Sequence, residues 1–564
     1  MEAPWHIYPQ NKELSIKIAE EIQKSEILAQ VLLNRNIRSL KTVNNFINPF
    51  LGNYKKDLGY EKLVAAANLL QDAIKNKKRI LIYGDYDVDG ITSTSLLISF
   101  VKFMGGIVDF YIPHRYIDGY GLNTNAVNEI LHKKYDLLFT LDCGISNFEE
   151  IAILKKNADI KVVVLDHHTI PDKLPDADVL INPKFLPENH CLYNICGVGV
   201  VYKFLEFYVD HFQVDYNLAN DLDLVALGTI ADMVPLTGEN RVFVKFGLAK
   251  LEQRKRIGVD ALLRVSGFER EQISVRDVGF VLAPRLNAAG RLQYASYSVD
   301  LLISTSKEEA QLKAEKLNKI NQERRAIGQV ILRQAEEILQ EEHDLEKDKV
   351  CVLARNDWHS GVIGITASQI VNKYAKPAVL ISYNEKIARG SARSVGNVNI
   401  YELLKSCSEY FEEFGGHKQA AGFGLLPQNI MGFKNKFLKL CNEKIQESEL
   451  VSVLDIDVQI QPNQINKNLV KEINLLHPFG NGNTAPVLYA NNFKVIDFRK
   501  VGKGKHLKGT FSDKSGKYLF DGIGFGLADK LDLLYKDSFE MAFNLELNTW
   551  AGRESVQLNI LDIK

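Results

Sequence analysis

The sequence has few cysteines, and none of them is spaced as a metal-binding or redox pair would need. No CxxC motif occurs, which argues against a zinc knuckle, and the wide spacing argues against a disulfide framework. This cysteine usage is typical of proteins that stay in a reducing cytosol. The six cysteines are scattered along the chain, at Cys143, Cys191, Cys196, Cys351, Cys407 and Cys441.

Long apolar runs and an excess of one charge are also absent. No run approaches the roughly 18 to 20 apolar residues that span a bilayer, and the first residues lack the charged start and apolar core of a secretory signal. We therefore expect a soluble, cytoplasmic protein. The formal net charge is −1, so any surface that binds nucleic acid must be local and balanced by acidic residues elsewhere.

What the chain does have is length: its 564 residues are enough for three or four domains. Short apolar runs alternate with helical segments from about residue 60, which predicts βαβ units. A long helix is predicted from about Ser306 to Glu342, and a second α/β set follows it. The predicted fold class is α/β, with two α/β lobes that have parallel-sheet cores and are joined by the long helix. The predicted boundaries are 1–58 for an N-terminal helical segment, 59–304 and 346–448 for the two lobes, 305–345 for the connecting helix and 449–564 for a C-terminal domain.

The C-terminal domain has a different pattern, in which apolar and polar residues alternate. This alternation predicts half-buried antiparallel strands. About five such strands within roughly 110 residues suggest a small β-barrel, with an OB-fold as the leading candidate. The clearest strand candidates are VLDIDVQI, MAFNLELN and SVQLNI.

Acidic residues follow three of the apolar runs in the first lobe. RILIYG leads into Asp85, Asp87 and Asp89, LLFTLD ends on Asp142, and KVVVLD ends on Asp166. Parallel strands place their carboxyl ends along one edge of a sheet, so these side chains are predicted to meet there. A glycine-rich turn that binds phosphate through its backbone would not carry three carboxylates.

A ligand set of mostly carboxylates with one or two imidazoles suits Mn²⁺ or Mg²⁺ better than zinc. His167 and His168 follow Asp166, and Asp232 follows the apolar stretch of DLVALGTIADMVPL. Several carboxylates can hold two cations that clamp the oxygens of a phosphoester during hydrolysis. The alternative for any single motif is a solvated turn or a helix N-cap, but four such motifs at corresponding strand ends favour a metal site.

These motifs resemble those of the DHH phosphoesterases. The matching segments are GDYDVDG, LDCG, LDHH and GTIAD. Some members of this superfamily have a His four residues before the DxD motif, where this chain has Tyr83, and this departure argues against the family II pyrophosphatases. The resemblance implies that His168 is an acid/base or supporting imidazole, and it implies as metal ligands Asp87, Asp89, Asp142, His167 and Asp232, with Asp85 as a further candidate.

The rest of the chain narrows the resemblance to the RecJ exonucleases. WHSGVIGI, RGSARS and FGGHKQAAGF are similar to the DHHA1 domain, and GVGVVYK, APRLNAAGRL, HPFGNGN and WAGRESVQLNILD are similar to RecJ proteins. The lobes would then be a DHH catalytic domain and a DHHA1 domain. The resemblance implies that Ser391 and Arg393, assisted by Arg115, bind a 5′ end. It further implies strand-binding or cleft-facing roles for Arg285, Asn287, Arg291, His359 and His417.

The resemblance implies a 5′→3′ exonuclease that acts on single-stranded DNA in recombination and repair, with two Mn²⁺ or Mg²⁺ ions. It also implies a monomer that works beside a single-strand-binding protein and a RecQ-type helicase. A phosphodiesterase for short RNAs or cyclic dinucleotides remains an alternative, and so does a non-catalytic strand-binding protein. In the barrel, a basic run suits strand binding, although a solvated hairpin would have the same composition; the run is Arg499, Lys500, Lys503, Lys505, His506 and Lys508.

Overall fold

The structure is a computed structural model that describes residues 4–51, 57–115, 118–119, 121–451, 453–536, 538–550 and 553–564. Ala551 and Gly552 of the WAGRE segment lie outside these ranges. No helix within them is both long enough and apolar enough to cross a membrane. The chain divides into two compact units, Leu51–Val451 and the union of Met1–Phe50 with Ser452–Lys564.

The N-terminal segment is helical. Its elements are strand β1 (Trp5–Ile7) and helices α1 (Lys12–Ile22), α2 (Glu26–Asn34) and α3 (Leu40–Ile47).

The first lobe contains a five-stranded sheet in which every neighbouring pair is parallel, in the order β3-β2-β4-β5-β6. The strands are β2 (Arg79–Gly84), β3 (Ile107–Tyr111), β4 (Leu137–Leu141), β5 (Lys161–Leu165) and β6 (Val179–Ile181). The helices are α4 (Tyr60–Lys75), α5 (Val88–Phe103), α6 (Thr124–Lys133), α7 (Phe148–Asn157), α8 (Gly197–Phe212), α9 (Leu222–Ala231), α10 (Gly238–Glu252), α11 (Ile257–Val265), α12 (Val275–Asp277), α13 (Ala283–Leu292) and α14 (Ser296–Leu302).

Alternation along the strands of this sheet builds two cores. Ile80 and Ile82 of β2 pack with α4, α5, α8 and α9 on one face, whereas Leu81 and Tyr83 pack with α6 and α7 on the other. Both faces are covered, which explains why the strands are continuously apolar. The three predicted strands that end in acidic residues are therefore confirmed as β2, β4 and β5.

The long helix α15 (Lys307–Glu342) begins at the cap residue Ser306, whose side chain accepts a hydrogen bond from the backbone of Glu309. It spans 36 residues, or about 54 Å. Leu317 and Ile320 belong to the core of the first lobe, and Ile331 and Leu339 belong to that of the second lobe. The predicted connecting helix is thus confirmed.

The second lobe has a five-stranded mixed sheet with the order β10-β11-β9-β8-β7. The parallel core predicted for this lobe holds only for β7 and β8; the other three pairs are antiparallel, because short turns rather than crossover helices join β8 to β9 and β10 to β11. The strands are β7 (Cys351–Asn356), β8 (Ala378–Tyr383), β9 (Ala388–Arg393), β10 (Phe411–His417) and β11 (Ala420–Leu425). The helices are α16 (Ser360–Tyr374), α17 (Ile400–Lys405), α18 (Ile430–Lys444) and α19 (Glu447–Leu450).

The C-terminal part forms a closed five-stranded barrel, as predicted, because β14 pairs with both β15 and β17 and the ring closes through β16 and β18. Its elements are β12 (Leu454–Ile456), β13 (Val458–Gln459), α20 (Lys467–Ile473), β14 (Leu488–Val501), β15 (His506–Asp513), β16 (Leu519–Gly524), β17 (Phe539–Trp550) and β18 (Arg553–Ile563).

One strand prediction is wrong. VLDIDVQI forms two short strands rather than one antiparallel barrel strand, and both of them pair in parallel, β12 with β1 and β13 with β14. The N-terminal segment supplies the partner that the local pattern could not indicate. Its helices also share one core with the barrel, where Leu28 and Val31 belong to the same buried cluster as Phe493 and Phe511.

Candidate metal centre

The loop after β2 contributes the first three carboxylates. Asp87 caps α5, and its Oδ1 accepts hydrogen bonds from the backbone of Asp89 at 2.8 Å and of Gly90 at 3.2 Å. Asp85 is 4% exposed, and its Oδ1 accepts no hydrogen bond from the described residues. A buried carboxylate oxygen without a donor is costly in a folded protein, so this atom fits a cation ligand.

Asp89 is held by a second helix. Its two carboxylate oxygens accept backbone hydrogen bonds from Gly197 at 2.6 Å and from Val198 at 2.8 Å. Both donors lie in the first turn of α8, where the helix dipole favours negative charge. The side chain is therefore fixed from a point 108 residues away in the sequence.

Asp142, which follows β4, lies at the centre of the cluster. Its φ of 59° is in the left-handed region, which Asp and Asn tolerate better than most residues. His167 Nε2 is 3.0 Å from Asp142 Oδ1, 3.7 Å from Asp89 Oδ2 and 3.8 Å from Asp232 Oδ2. Asp232 is the C-cap residue of α9, so strands and helices both supply the cluster.

Three groups bring ligand atoms within 4.8 Å of one another. The first group is Asp85, Asp87 and Asp142; the second is Asp89, His167 and Asp232; the third is Asp142, His167 and His168. All six candidate ligands from the sequence fall within these groups. Asp142 belongs to two of these groups. The structure therefore brings the six residues together as two neighbouring sets of ligands, with Asp142 close to both.

The carboxylates repel one another at this site. Burial and the negative charge of Asp87 raise the pKa of Asp89 to about 7, and burial and the charge of Asp89 raise the pKa of Asp232 to about 9. The pKa values of Asp85 and Asp142 are also raised, by burial and by neighbouring carboxylates. Divalent cations would relieve this repulsion. Five carboxylates and one imidazole are a donor set that suits Mn²⁺ or Mg²⁺.

The two histidines differ in charge. Burial lowers the pKa of His167 to about 3, which leaves a neutral imidazole of the kind that binds metals. Burial by itself would lower the pKa of His168, but the hydrogen bond to Asp166 and the negative charges of Asp166, Asp232 and Asp85 together outweigh it and raise the pKa to about 9. His168 is therefore a cation at neutral pH, beside the carboxylate cluster.

The predicted 5′-end residues lie close together. Arg393 Nη1 donates to Ser391 Oγ at 3.1 Å and to the carbonyl of Ala392 at 2.7 Å. Burial and the positive charge of Arg115 lower the pKa of Arg393, which places two guanidinium groups near each other. Arg115 also lies over the ring of Tyr86, 4.8 Å from its centroid.

The residues of α13 make different contacts. Arg285 Nε donates to Asn318 Oδ1 on α15 at 3.0 Å, and Arg291 Nη1 donates to the carbonyl of Gly361 in the second lobe at 3.1 Å. Asn287 lies on the same helix and is half-buried. These contacts link α13, a helix of the first lobe, to α15 and to the second lobe.

His359 and His417 belong to the second lobe. His359 is the N-cap residue of α16, and its Nδ1 accepts a hydrogen bond from the backbone of Gly361 at 3.1 Å. It also lines a cavity of about 770 Å³ together with Tyr383 and Arg389. His417 is exposed at the end of β10.

Sequence reasoning missed three residues that shape these sites. The sequence marks Asp166 only as part of the LDHH motif, yet its carboxylate is hydrogen-bonded to His168 Nδ1. A Cβ on Gly197 would lie 2.7 Å from Asp142 Cβ, and a Cβ on Gly364 would lie 2.9 Å from Arg393 Nη2. Both glycines belong to quoted motifs, GVGVVYK and WHSGVIGI, but only the packing shows what each makes room for.

Comparison with known proteins identifies the family. Three family models match the chain: the DHH family N-terminal domain over 79–229, the DHHA1 domain over 347–446 and the RecJ OB domain over 456–562. The single-stranded-DNA-specific exonuclease RecJ of Haemophilus influenzae is 33% identical over 97% of both chains. The chain belongs to the RecJ family.

Other RecJ proteins agree with this assignment. The Escherichia coli RecJ is 31% identical over 95% of each chain, and the Bacillus subtilis RecJ is 31% identical over 99% of this chain and 70% of its own length. The crystal structure of Thermus thermophilus RecJ with Mn²⁺ superposes with a TM-score of 0.85 at 27% identity. That match covers all of this chain and 79% of the Thermus chain.

Proposed function

We propose that this protein is a metal-dependent exonuclease that hydrolyses single-stranded DNA from its 5′ end and releases 5′-mononucleotides. The observation that carries the proposal is the ligand cluster, five carboxylates and His167, in a chain that matches the DHH, DHHA1 and RecJ OB domains. The proposed domains are those of the sequence: DHH over 59–304, DHHA1 over 346–448 and the barrel over 449–564, with the helical segment 1–58 and the connecting helix 305–345.

The proposed metal ligands are the six residues of the cluster: Asp85, Asp87, Asp89, Asp142, His167 and Asp232. When bound, two Mn²⁺ or Mg²⁺ ions would lower the pKa of the attacking water and offset charge on the phosphate oxygens. The hydrogen bonds that Asp89 accepts from α8 and that Asp87 accepts from α5 fix two of the ligands before any metal arrives. Such preorganisation is what a two-cation site requires.

His168 would act on the reacting phosphate. Its Nδ1 is hydrogen-bonded to Asp166 Oδ1, which fixes the orientation of the ring beside the ligand cluster. Because the ring is protonated at neutral pH, it can stabilise negative charge on the phosphate and give a proton to the departing 3′-oxygen. Asp166 is a positioning residue in this scheme.

Polarity would come from the second lobe. The hydroxyl of Ser391 and the guanidinium of Arg393 can bind a terminal phosphate together with Arg115, because a guanidinium binds phosphate in a bidentate manner. Arg285, Asn287 and Arg291 on α13 would hold the strand near the metals. The roles of His359 and His417 at the cleft rest on the family resemblance alone.

The barrel would also bind the single strand. The basic run lies on the hairpin of β14 and β15, where Val501 pairs with His506. Lys503 and Lys505 are exposed at its tip. Phe525 is 60% exposed and its ring contacts that of His506. Cations beside an exposed aromatic ring suit a single strand, whose phosphates and bases they can bind together.

The proposal includes a cytoplasmic location, a monomeric state and action beside a single-strand-binding protein and a RecQ-type helicase in recombination and repair. These points rest on family membership and on the cysteine pattern. A phosphodiesterase of short substrates is not favoured because the chain has the RecJ OB domain. A non-catalytic strand-binding protein is not favoured because the ligand cluster is complete.

A nuclease assay tests the proposal. A 5′-phosphorylated single strand labelled at its 3′ end would be incubated with the protein and Mn²⁺, Mg²⁺ or EDTA, beside the same strand in a blunt duplex. We expect metal-dependent shortening of the single strand alone. An intact strand together with cleaved dinucleotides would instead favour the small-substrate phosphodiesterase.

A further inference from the structure

A groove of about 490 Å³ lies on the first lobe. The elements that form it are not those that carry the ligand cluster. The loop after α10, helix α11 and the first turns of α15 form its walls. Four cations face one carboxylate here, although the chain as a whole has a net charge of −1. The polar residues that line it are Arg254, Lys255, Asp260, Arg264, Lys307 and Gln311.

One guanidinium in the groove is fixed without being neutralised. Arg254 has a φ of 51°, and its Nη2 donates to the carbonyls of Phe268 at 3.4 Å and of Arg270 at 3.1 Å. Its Nη1 is 4.0 Å from Asp260, which is already paired with Arg264. Two arginines therefore share a single carboxylate, and positive charge remains in excess.

The two lysines of the groove add to this excess. Lys255 and Lys307 are exposed, and neither has an ion pair with a residue in the described ranges. Glu309, one turn into α15, is paired with Lys313 at 2.6 Å. Like charges held this close repel one another unless an anion binds between them.

A stripe of polar side chains leads from the groove along α15, and the carboxylate of Glu315 beside it accepts a hydrogen bond from Gln311 at 2.8 Å. Lys307 and Arg325 are 18 residues apart, which is five helical turns, so they lie on one side of the helix. Gln311 and Asn318 lie on the same side. Asn318 accepts the hydrogen bond from Arg285, and it is about 16 Å from Lys307 along the helix axis. The groove is thus connected to the residues proposed to hold the strand near the metals.

We propose that this groove is a second phosphate-binding site, which holds the backbone of a single strand at a distance from the cleavage site. This inference rests on the proposed nuclease function. The ligand is the phosphodiester backbone rather than the bases, because guanidinium and ammonium groups bind phosphate. No aromatic ring is among the described residues that line the groove, so base stacking has no platform there.

The test is a comparison of binding by two double variants of the full chain. Lys255→Ala with Lys307→Ala removes two groove cations, and Lys75→Ala with Lys156→Ala removes two exposed lysines of the same lobe as a control. Binding of a labelled strand of about 30 nucleotides and of one of about 6 would be measured in EDTA over a series of salt concentrations. EDTA prevents hydrolysis, so binding is measured without turnover.

For a single strand, each phosphate contact contributes about 0.7 to the steepness with which the logarithm of the binding constant falls with the logarithm of the salt concentration. We therefore expect the slope for the long strand to fall by about 1.4 in the groove variant, with roughly 10-fold weaker binding at physiological salt. The short strand and the control variant should bind as the unchanged protein does. Lys307→Arg, which keeps the charge, should restore one phosphate contact when combined with Lys255→Ala.

Equal slopes and affinities for the groove and control variants would overturn the proposal. The proposal would also fail if an acidic peptide needed the groove lysines for binding while the strand did not. The groove would then be a peptide site. Failure of the nuclease function is distinguishable, because the unchanged protein would then bind strands in EDTA without shortening them when metal is added.

Discussion

Asp166 Oδ1 lies 2.8 Å from His168 Nδ1, and the same oxygen accepts backbone hydrogen bonds from His167 and His168. Its other oxygen accepts the backbone N–H of Ile145 at 3.0 Å. Asp166 is fully buried. One carboxylate therefore sets the backbone that carries a metal ligand and also the ring orientation of the neighbouring imidazole.

Asp166→Asn should lower kcat by about 10- to 100-fold with little change in KM, because supporting partners of this kind tune rather than supply the chemistry. The amide loses the charge that keeps His168 protonated, so the pH profile of kcat should also shift to lower pH. Stopped assays on a single strand from pH 6 to 10 would measure both effects. An unchanged profile would contradict the positioning role.

His168 should also make stability depend on pH in the metal-free protein. A histidine whose pKa is raised by folding stabilises the native state while it is protonated. This contribution is complete below its ordinary pKa of 6.5 and is lost as the pH rises through about 9. Because the side chain is 43% exposed, solvent screening keeps the effect near about 1 kcal/mol.

Urea unfolding in EDTA tests this pH dependence. The free energy of unfolding of the unchanged protein should exceed that of His168→Gln by about 1 kcal/mol at pH 6, and the difference should shrink at pH 9.5. A difference that grew with pH would mean that the ring is neutral in the native state.

Asp142→Asn should abolish turnover, by at least about 1000-fold, while the fold survives. Asparagine tolerates the left-handed φ of this residue, which alanine would adopt only with strain. The variant removes one of several mutually repelling carboxylates, so the metal-free protein should melt at a higher temperature.

The same variant should respond less to metal. Mn²⁺ should raise the melting temperature of the unchanged protein and of Asp172→Asn, an exposed control in the same lobe, more than that of Asp142→Asn. Mn²⁺-dependent nuclease activity in Asp142→Asn near the normal rate would refute the ligand assignment.

Gly197→Ala should weaken metal binding although it replaces none of the proposed ligands. The added methyl would stand 2.7 Å from Asp142 Cβ, so Asp142 or the first turn of α8 must shift, and the hydrogen bond from Gly197 to Asp89 would shift with it. We expect at least about 10-fold weaker Mn²⁺ activation. Gly328→Ala is the control: its nearest neighbour is at 3.4 Å, and alanine in mid-helix should stabilise by about 0.5–1 kcal/mol.

Arg393→Ala should remove the preference for a 5′-phosphate. A charged hydrogen bond contributes about 1.5–3 kcal/mol, so kcat/KM should fall roughly 10- to 100-fold on 5′-phosphorylated strands and much less on 5′-hydroxyl strands. Arg389→Ala, an exposed arginine of the same strand paired with Glu413, should keep the preference. Equal losses on both substrates would mean that Arg393 supports the lobe rather than the terminal phosphate.

Local patterns were sufficient for the elements of the catalytic lobe. Short apolar runs between helical segments identified β2, β4 and β5, and the residues after them were expected at one edge because parallel strands share their direction. The long helix and the closed barrel followed from periodicity in the same way. Family motifs added the roles of single residues, which periodicity does not contain.

The sequence by itself therefore determined which segments form strands and helices and that acidic strand ends share one edge. Only the tertiary structure decided that α8 fixes Asp89, that Gly197 and Gly364 make room for Asp142 and Arg393, and that β1 pairs with β12. It also decided that the second sheet is mixed. The physical reason is that the apolar periodicity of a segment depends only on residues that are close in the chain. Hydrogen bonds and close packing depend on groups that can lie hundreds of residues away.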